Sequence, residues 1–296
     1  MVNPADSILN QDSKLLSVEK AVQRVKRGFL TTLTNPRVSD LAFVGNASRV
    51  YVWEPCLVVD LDVCIFADQC NRELGLSLAY LRDWLSSELK WEGIEFYLKI
   101  IRGSYKHAPL LIDVPAIVAH VSLFTEEMYL ARPVLLRWAW RKYPCTAEPL
   151  RLARLAPDRP TLQEFLNGRS GVAQKLASVE SGSAPLVEYT LPDLTKVASV
   201  VSAGEPLFAE YCLAAGMICA RNHARVLNKL AADCLNNREF VDWYGRELMD
   251  SASFRRLMSL KEKVRRSGYA HALDAAPILA QSYLRQLRDW IGRELR

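Results

Sequence analysis

The stretch DLAFVGNASRVYVWEPCLVVDLDVCI, residues 40–65, decides how the chain is read. A short apolar run, Leu41 to Val44, ends at Gly45, and fifteen residues beyond that glycine a second apolar run carries Asp60 and Asp62. Only Leu61 separates the two acids. Side chains alternate along a strand, so Asp60 and Asp62 project to one face while Val59, Leu61 and Val63 project to the other. An exposed edge strand would carry such a pair as solvated charges with no role. The flanking Leu57, Val58, Val59, Val63, Cys64 and Ile65 argue instead for a central strand. On a central strand two adjacent carboxylates repel each other and resist desolvation, and a divalent cation relieves both. The strand–glycine–small-residue sequence before them suits a turn that lets backbone approach a phosphate.

Composition sets the frame around this stretch. At 296 residues the chain exceeds the usual single-domain size, so two domains or one large one are expected. Half the residues are hydrophobic and 24% charged, which gives enough apolar surface for sizeable cores. A net charge of +5 permits nucleotide or RNA binding without demanding it, and no Lys/Arg tail is present. The seven cysteines form no Cys-X-X-Cys pair, and several sit in apolar runs. They read as buried thiols in a reducing compartment, which points to the cytoplasm rather than to a disulfide framework or a zinc knuckle. No apolar run is long enough for a membrane span, and no signal-peptide pattern opens the chain, so no membrane association is expected.

Working outward, Leu15, Val18, Val22, Val25, Phe29 and Leu30 predict an amphipathic helix over 14–31. Leu74, Leu78, Leu81 and Leu85 predict a second over 67–89. Residues 94–101 alternate, with Ile94, Phe96, Leu98 and Ile100 opposite Glu95, Tyr97 and Lys99, and a further strand is expected over 116–124. A helix is expected at 129–143 and a Pro-rich linker at 144–160. Beyond it an ambiguous strand signal at 186–190 interrupts helices expected at 161–167, 172–179, 193–202, 206–231, 237–249, 251–267 and 275–294. The fold class is therefore α+β: a small mixed sheet with flanking helices over residues 1–145, then an α-helical bundle over 146–296.

Gly45-Asn46-Ala47-Ser48 after one strand, followed by Asp60-Leu61-Asp62 within the next, resembles the active-site signature of the DNA polymerase β-like nucleotidyltransferase superfamily. The motif covers Gly45 to Asp62, and the order of elements is similar over about residues 15–125. Members of that superfamily carry a Gly-Ser or Gly-Gly turn, then hydrophobic–Asp–hydrophobic–Asp–hydrophobic, then a third carboxylate on a later strand. Many small-molecule and minimal members append a helical bundle. This chain has Asn46 where Ser or Gly is usual, and an asparagine still donates a hydrogen bond.

The resemblance implies transfer of a nucleoside monophosphate from an NTP to an acceptor, with pyrophosphate released. Asp60 and Asp62 would bind Mg2+, two ions being the family pattern and Mn2+ a substitute, because magnesium favours hard oxygen ligands shared between carboxylates and phosphates. Gly45, Asn46, Ser48 and Arg49 would meet the triphosphate. The third acid falls to Asp113, within Leu111-Ile112-Asp113-Val114, with Glu95 as second choice. The strand at 116–124 offers His120 where an acid is expected. In the bundle, Arg221 and Arg225 stand four apart on one helix face and are candidates for the triphosphate or base, with an interhelix ion-pair cluster as the plain alternative. Arg137 or Arg141 is a further candidate for phosphate or an acidic acceptor. A small-molecule acceptor is favoured over a polynucleotide because no strong basic track is present. Two rivals are a tRNA- or protein-modifying, toxin-like transferase and a non-catalytic interaction module on a degenerate transferase fold.

Overall fold

The computed structural model describes residues 4–33, 38–44, 58–102, 115–141, 155, 157–229, 235 and 237–296. Helix α1 (Pro4–Thr32) leads into strand β1 (Val38–Val44), then β2 (Val58–Ala67), α2 (Arg72–Lys90), β3 (Glu95–Arg102) and β4 (Ala116–Phe124). Short helices α3 (Glu126–Leu130) and α4 (Val134–Arg141) follow, split at Arg132-Pro133 where a single helix over 129–143 is expected from the sequence. Then come α5 (Leu162–Asn167), α6 (Val172–Glu180), a hairpin of β5 (Ser183–Thr190) and β6 (Thr195–Ser202), and helices α7 (Pro206–Val226), α8 (Asn237–Glu247), α9 (Ala252–Ser267) and α10 (Ala275–Glu294). The α+β class is as the sequence predicts.

The six strands form one mixed sheet in the order β1-β2-β4-β3-β5-β6. β2, β4 and β3 run parallel at its centre, and β1 and β5 join antiparallel on either side. β2 is therefore a central strand, paired on both edges. One face of the sheet is covered by α1 and α2. Val59, Leu61, Val63 and Ile65 of β2 meet Phe96 and Leu98 of β3, Ile117, Ala119 and Val121 of β4, and Val18, Val22, Val25 and Phe29 of α1 in one core. Helix α2 adds Leu74, Leu78, Leu81, Leu85 and Leu89 along its buried stripe. Each such side chain contributes roughly 1.5–3 kcal/mol on burial. Asn71 caps the start of α2, its side chain accepting from the Leu74 N–H at 3.2 Å. Gly93 at φ 70 turns the chain out of the helix into β3.

The sheet does not stop at the expected domain border. Residues 193–202 are expected to be helical, and they form strand β6 instead, while 186–190 resolves as part of β5. The second half is thus a helical bundle with a hairpin attached, not a purely helical unit. The cause is visible in Thr195, Val197, Val200 and Val201, β-branched residues that fit a pleated strand better than a helix turn. Of the eight residues of β6 only Val201 is buried, so no alternation of apolar and polar residues marks it.

The hairpin ties two cores together. Near its base, Ala184, Leu186 and Val201 pack into the bundle with Leu176, Phe208 and Cys212. Near its tip, Leu194 joins the sheet core, with Tyr189 and Leu191 packed against it. In the bundle α10 packs on α6, α7 and α9, and α7 is buried nearly all round from Phe208 to Val226, as suits a central helix. No helix among the described residues is long and apolar enough to cross a membrane.

The tip of the hairpin rests on α2 at Gly75, where a β-carbon would stand 1.8 Å from the Pro192 carbonyl oxygen. An exposed mid-helix Gly→Ala change gains about 1 kcal/mol. Here the added methyl meets backbone, so Gly75→Ala is expected to lose about 1–3 kcal/mol instead. Urea unfolding measures the sign; a midpoint equal to or above that of the parent would show that the tip does not bear on α2.

Candidate functional site

The face of the sheet opposite α1 and α2 carries the acids. Residues 60, 62, 64 and 66 of β2 share this face by the strand's alternation, as do 118, 120, 122 and 124 of β4 and 95, 97 and 99 of β3. Because the three strands are parallel and in register, these positions fall into rows. Asp60 pairs with Val118, and Val118 with Tyr97. Asp62 pairs with His120, and His120 with Lys99. On the other side of β2, Asp62 is the register partner of Val44, the last residue before Gly45. The described part of β1 therefore ends at the level of Asp62. Gly45, Asn46, Ser48, Arg49 and Asp113, together with the side chain of Asp60, lie outside the described residues.

His120 is buried and Asp62 half-buried. Lys99 and Tyr97 are half-buried, and Glu95 is exposed at the start of β3. The Tyr97 hydroxyl donates to the Glu95 carboxylate. That bond raises the Tyr97 pKa, with burial and the Glu95 charge adding to the shift. Glu95 pairs with Ala116, which pairs with Val58, so it lies two strand spacings from β2. That is roughly 10 Å across the sheet, too far for Glu95 to share an ion with Asp62.

Aromatic packing closes the far end of the same face. Tyr129 meets Phe66 and Phe124 edge to face and those two rings are tilted on each other, with ring centroids 5.2 to 5.7 Å apart, and the Arg132 guanidinium lies 5.1 Å from the Phe124 centroid. Burial pushes the Tyr129 phenol up to about 12, and its hydroxyl donates to the Arg137 carbonyl at 3.3 Å. Arg137 in turn donates from Nε to the Arg132 carbonyl at 3.2 Å. Arg137 is thus fastened to the α3–α4 corner.

The bundle arginines are also engaged. Arg221 donates from Nη2 to the Leu235 carbonyl at 3.0 Å and to Asn237 Oδ1 at 3.3 Å, and it lies 4.0 Å from the Phe240 ring centroid. Arg225 is buried and donates to Asn222 Oδ1 at 3.1 Å. These contacts hold α7 to α8 and to its own turn.

Sequence reading passes over a buried polar chain beside them. His223 Nδ1 and the Tyr244 hydroxyl are 2.8 Å apart, and the Tyr244 and Tyr283 hydroxyls 3.1 Å apart. His223 stacks on Phe165 and meets Trp290 edge-on at 4.5 Å. Lys175 is buried nearby in the same core, its ammonium 6.0 Å from the Tyr211 ring centroid, and burial lowers its pKa. The one sequence signal is His223 itself, a titratable group on a helix that is mostly apolar.

Among the described residues no three His, Cys, Asp or Glu side chains converge as a metal cluster. Comparison with protein-family models, curated proteins and solved structures returned no match.

The buried histidine makes stability depend on pH. Burial holds the folded His223 imidazole down to about 4, against an ordinary value of 6.5. Above pH 6.5 it is neutral in both states and costs nothing. As pH falls from 6.5 towards 4 the unfolded chain gains a proton that the folded chain refuses, so stability drops by about 3 kcal/mol over that window. Urea unfolding near pH 7 and pH 4.5 is expected to show most of that loss in the parent and a shallower dependence in His223→Gln. Equal slopes in the two proteins would contradict it.

Proposed function

We propose that the chain is a divalent-metal-dependent nucleotidyltransferase that moves a nucleoside monophosphate from an NTP to a small-molecule acceptor. One observation supports this above all. Val44 at the end of β1, the residue before Gly45-Asn46-Ala47-Ser48 in the sequence, stands beside Asp62 of a central Asp-X-Asp strand, which lies on the face turned away from the helical layer. A phosphate-binding turn and a metal-binding pair would have to meet in this way to act on one triphosphate.

The donor set fits a divalent cation, since positions 60 and 62 offer hard carboxylate oxygens two residues apart on one face. The ion, Mg2+ in the first instance, would neutralise charge on the triphosphate as pyrophosphate departs. The chain's own residues would do the rest. Asp60 and Asp62 would hold that charge in place, and Asn46 and Ser48 would donate to phosphate oxygens. Gly45 would let backbone come close to them. The acceptor hydroxyl would then attack the α-phosphorus in line, forming one P–O bond while the α–β anhydride bond breaks. Asp113 is the carboxylate we assign to take the hydroxyl proton. Positioning and fixed charge contribute most of the acceleration in such displacements.

One rival has an observation of its own. His120 stands where the resemblance calls for an acid, which suits a non-catalytic module on a degenerate transferase fold. Calorimetric titration of each NTP with Mg2+ separates the two. The parent is expected to bind one NTP at least about tenfold more tightly than Asp60→Ala/Asp62→Ala, the loss that about 1.4 kcal/mol of binding energy represents. Equal affinity in the two proteins would overturn the enzyme reading.

A further inference from the structure

Resting on that reading, we infer that His120 is itself a metal ligand, so that the site holds a single ion between carboxylates and an imidazole and prefers Mn2+ to Mg2+. The register carries the inference. His120 is the direct partner of Asp62 on the adjacent parallel strand, and both lie on the acid-bearing face. Neighbouring strands are roughly 4.8 Å apart. Two ligands at adjacent corners of an octahedral ion need donor atoms only about 3 Å apart, given bonds of about 2.1 Å. An aspartate and a histidine side by side at that spacing can converge on one ion without any movement of the backbone. His120 is also buried, which fixes where its ring can lie.

The third member of the row limits the number of ions. Lys99 is the register partner of His120 on the side away from Asp62. A lysine on the strand beyond the imidazole adds positive charge to that side of the row, which opposes a second divalent cation there. Ligand chemistry then sets the preference. Mg2+ demands near-ideal geometry from hard oxygens, whereas Mn2+ stands above it in readiness to take an imidazole nitrogen. A site built from aspartate oxygens and one histidine nitrogen should therefore discriminate against magnesium.

Pulsed electron paramagnetic resonance of the full-length chain loaded with Mn2+ reads the ligand directly. Histidine ligation gives a 14N modulation, and His120→Gln is expected to abolish that signal and to weaken Mn2+ by about tenfold or more, the scale on which supporting contacts alone tune metal affinity. His120→Asp is expected to fold as the parent does, by its thermal midpoint, and to shift the Mg2+-to-Mn2+ affinity ratio at least about tenfold towards Mg2+. Bound Mn2+ with no 14N modulation, in a protein where Asp60→Ala/Asp62→Ala abolishes binding, would overturn the role of His120 and leave the transferase reading standing. A 14N modulation that survives in that double variant would place the ion elsewhere and overturn the inference as well. No saturable Mn2+ or Mg2+ binding to the parent would sink both.

Discussion

The parallel pairing of β2 with β4 is the constraint on which the rest of the structure depends. It runs from Val58 against Ala116 to Phe66 against Phe124 without a shift, so every residue on one strand has a fixed neighbour on the other. With β1 paired to its other edge from Asp62 to Ala67, β2 is held on both sides there, and its two faces are given opposite tasks. The odd-numbered side chains are driven into the core beneath α1 and α2. The even-numbered positions, among them the two aspartates, are left on the other side. A slip of one residue would exchange the faces and send both carboxylates into the apolar core. The apolar burial of Val59, Leu61, Val63 and Ile65 is therefore what fixes Asp62 on the opposite face.

A second dependency runs between the halves. The sheet core and the bundle core are separate apolar clusters, and the β5–β6 hairpin contributes side chains to both. β5 also pairs with the end of β3 at Ile100 to Arg102. The bundle is thus joined to the strand that carries Lys99 by main-chain pairing as well as by side-chain packing. The bundle itself centres on α7, whose Gly216 leaves room for Leu257 of α9: a β-carbon there would stand 2.4 Å from the leucine Cδ2.

What the sequence made legible follows from where periodicity survives. The leucine stripe of α2 and the alternation of β3 each have one buried and one wetter face; β3 lies where the pattern places it, and α2 carries the stripe but starts at Arg72 rather than at the expected residue 67, which ends β2. Strand β4 runs from Ala116 to Phe124 as predicted, although it is buried almost throughout. β6 was misread because it is solvated on both faces, which leaves only the weaker β-branched propensity to mark it. At the candidate site the Asp-X-Asp face was readable from the alternation alone. Its neighbours were not. His120 and Lys99 join Asp62 only because β4 inserts between β2 and β3, an order that local pattern does not encode. The His223–Tyr244–Tyr283 chain was hidden for a similar reason, since its members come from three helices and meet only after the bundle closes.

The place of β5 in the sheet has a consequence for how the protein is made. Ile100 finds its partner at Tyr189, and Arg102 finds its own at Val187. During synthesis from the N-terminus, β1, β2, β3 and β4 can all be assembled while the residues of β5 are still to be added. In that interval the outer edge of β3 presents unpaired N–H and C=O groups, the template on which foreign strands add. Closure of so distant a pair is also slow, because a long loop must be ordered before the contact repays it. The nascent chain thus passes through a stage at which the β1–β4 sheet is built while the outer edge of β3 is still unsealed.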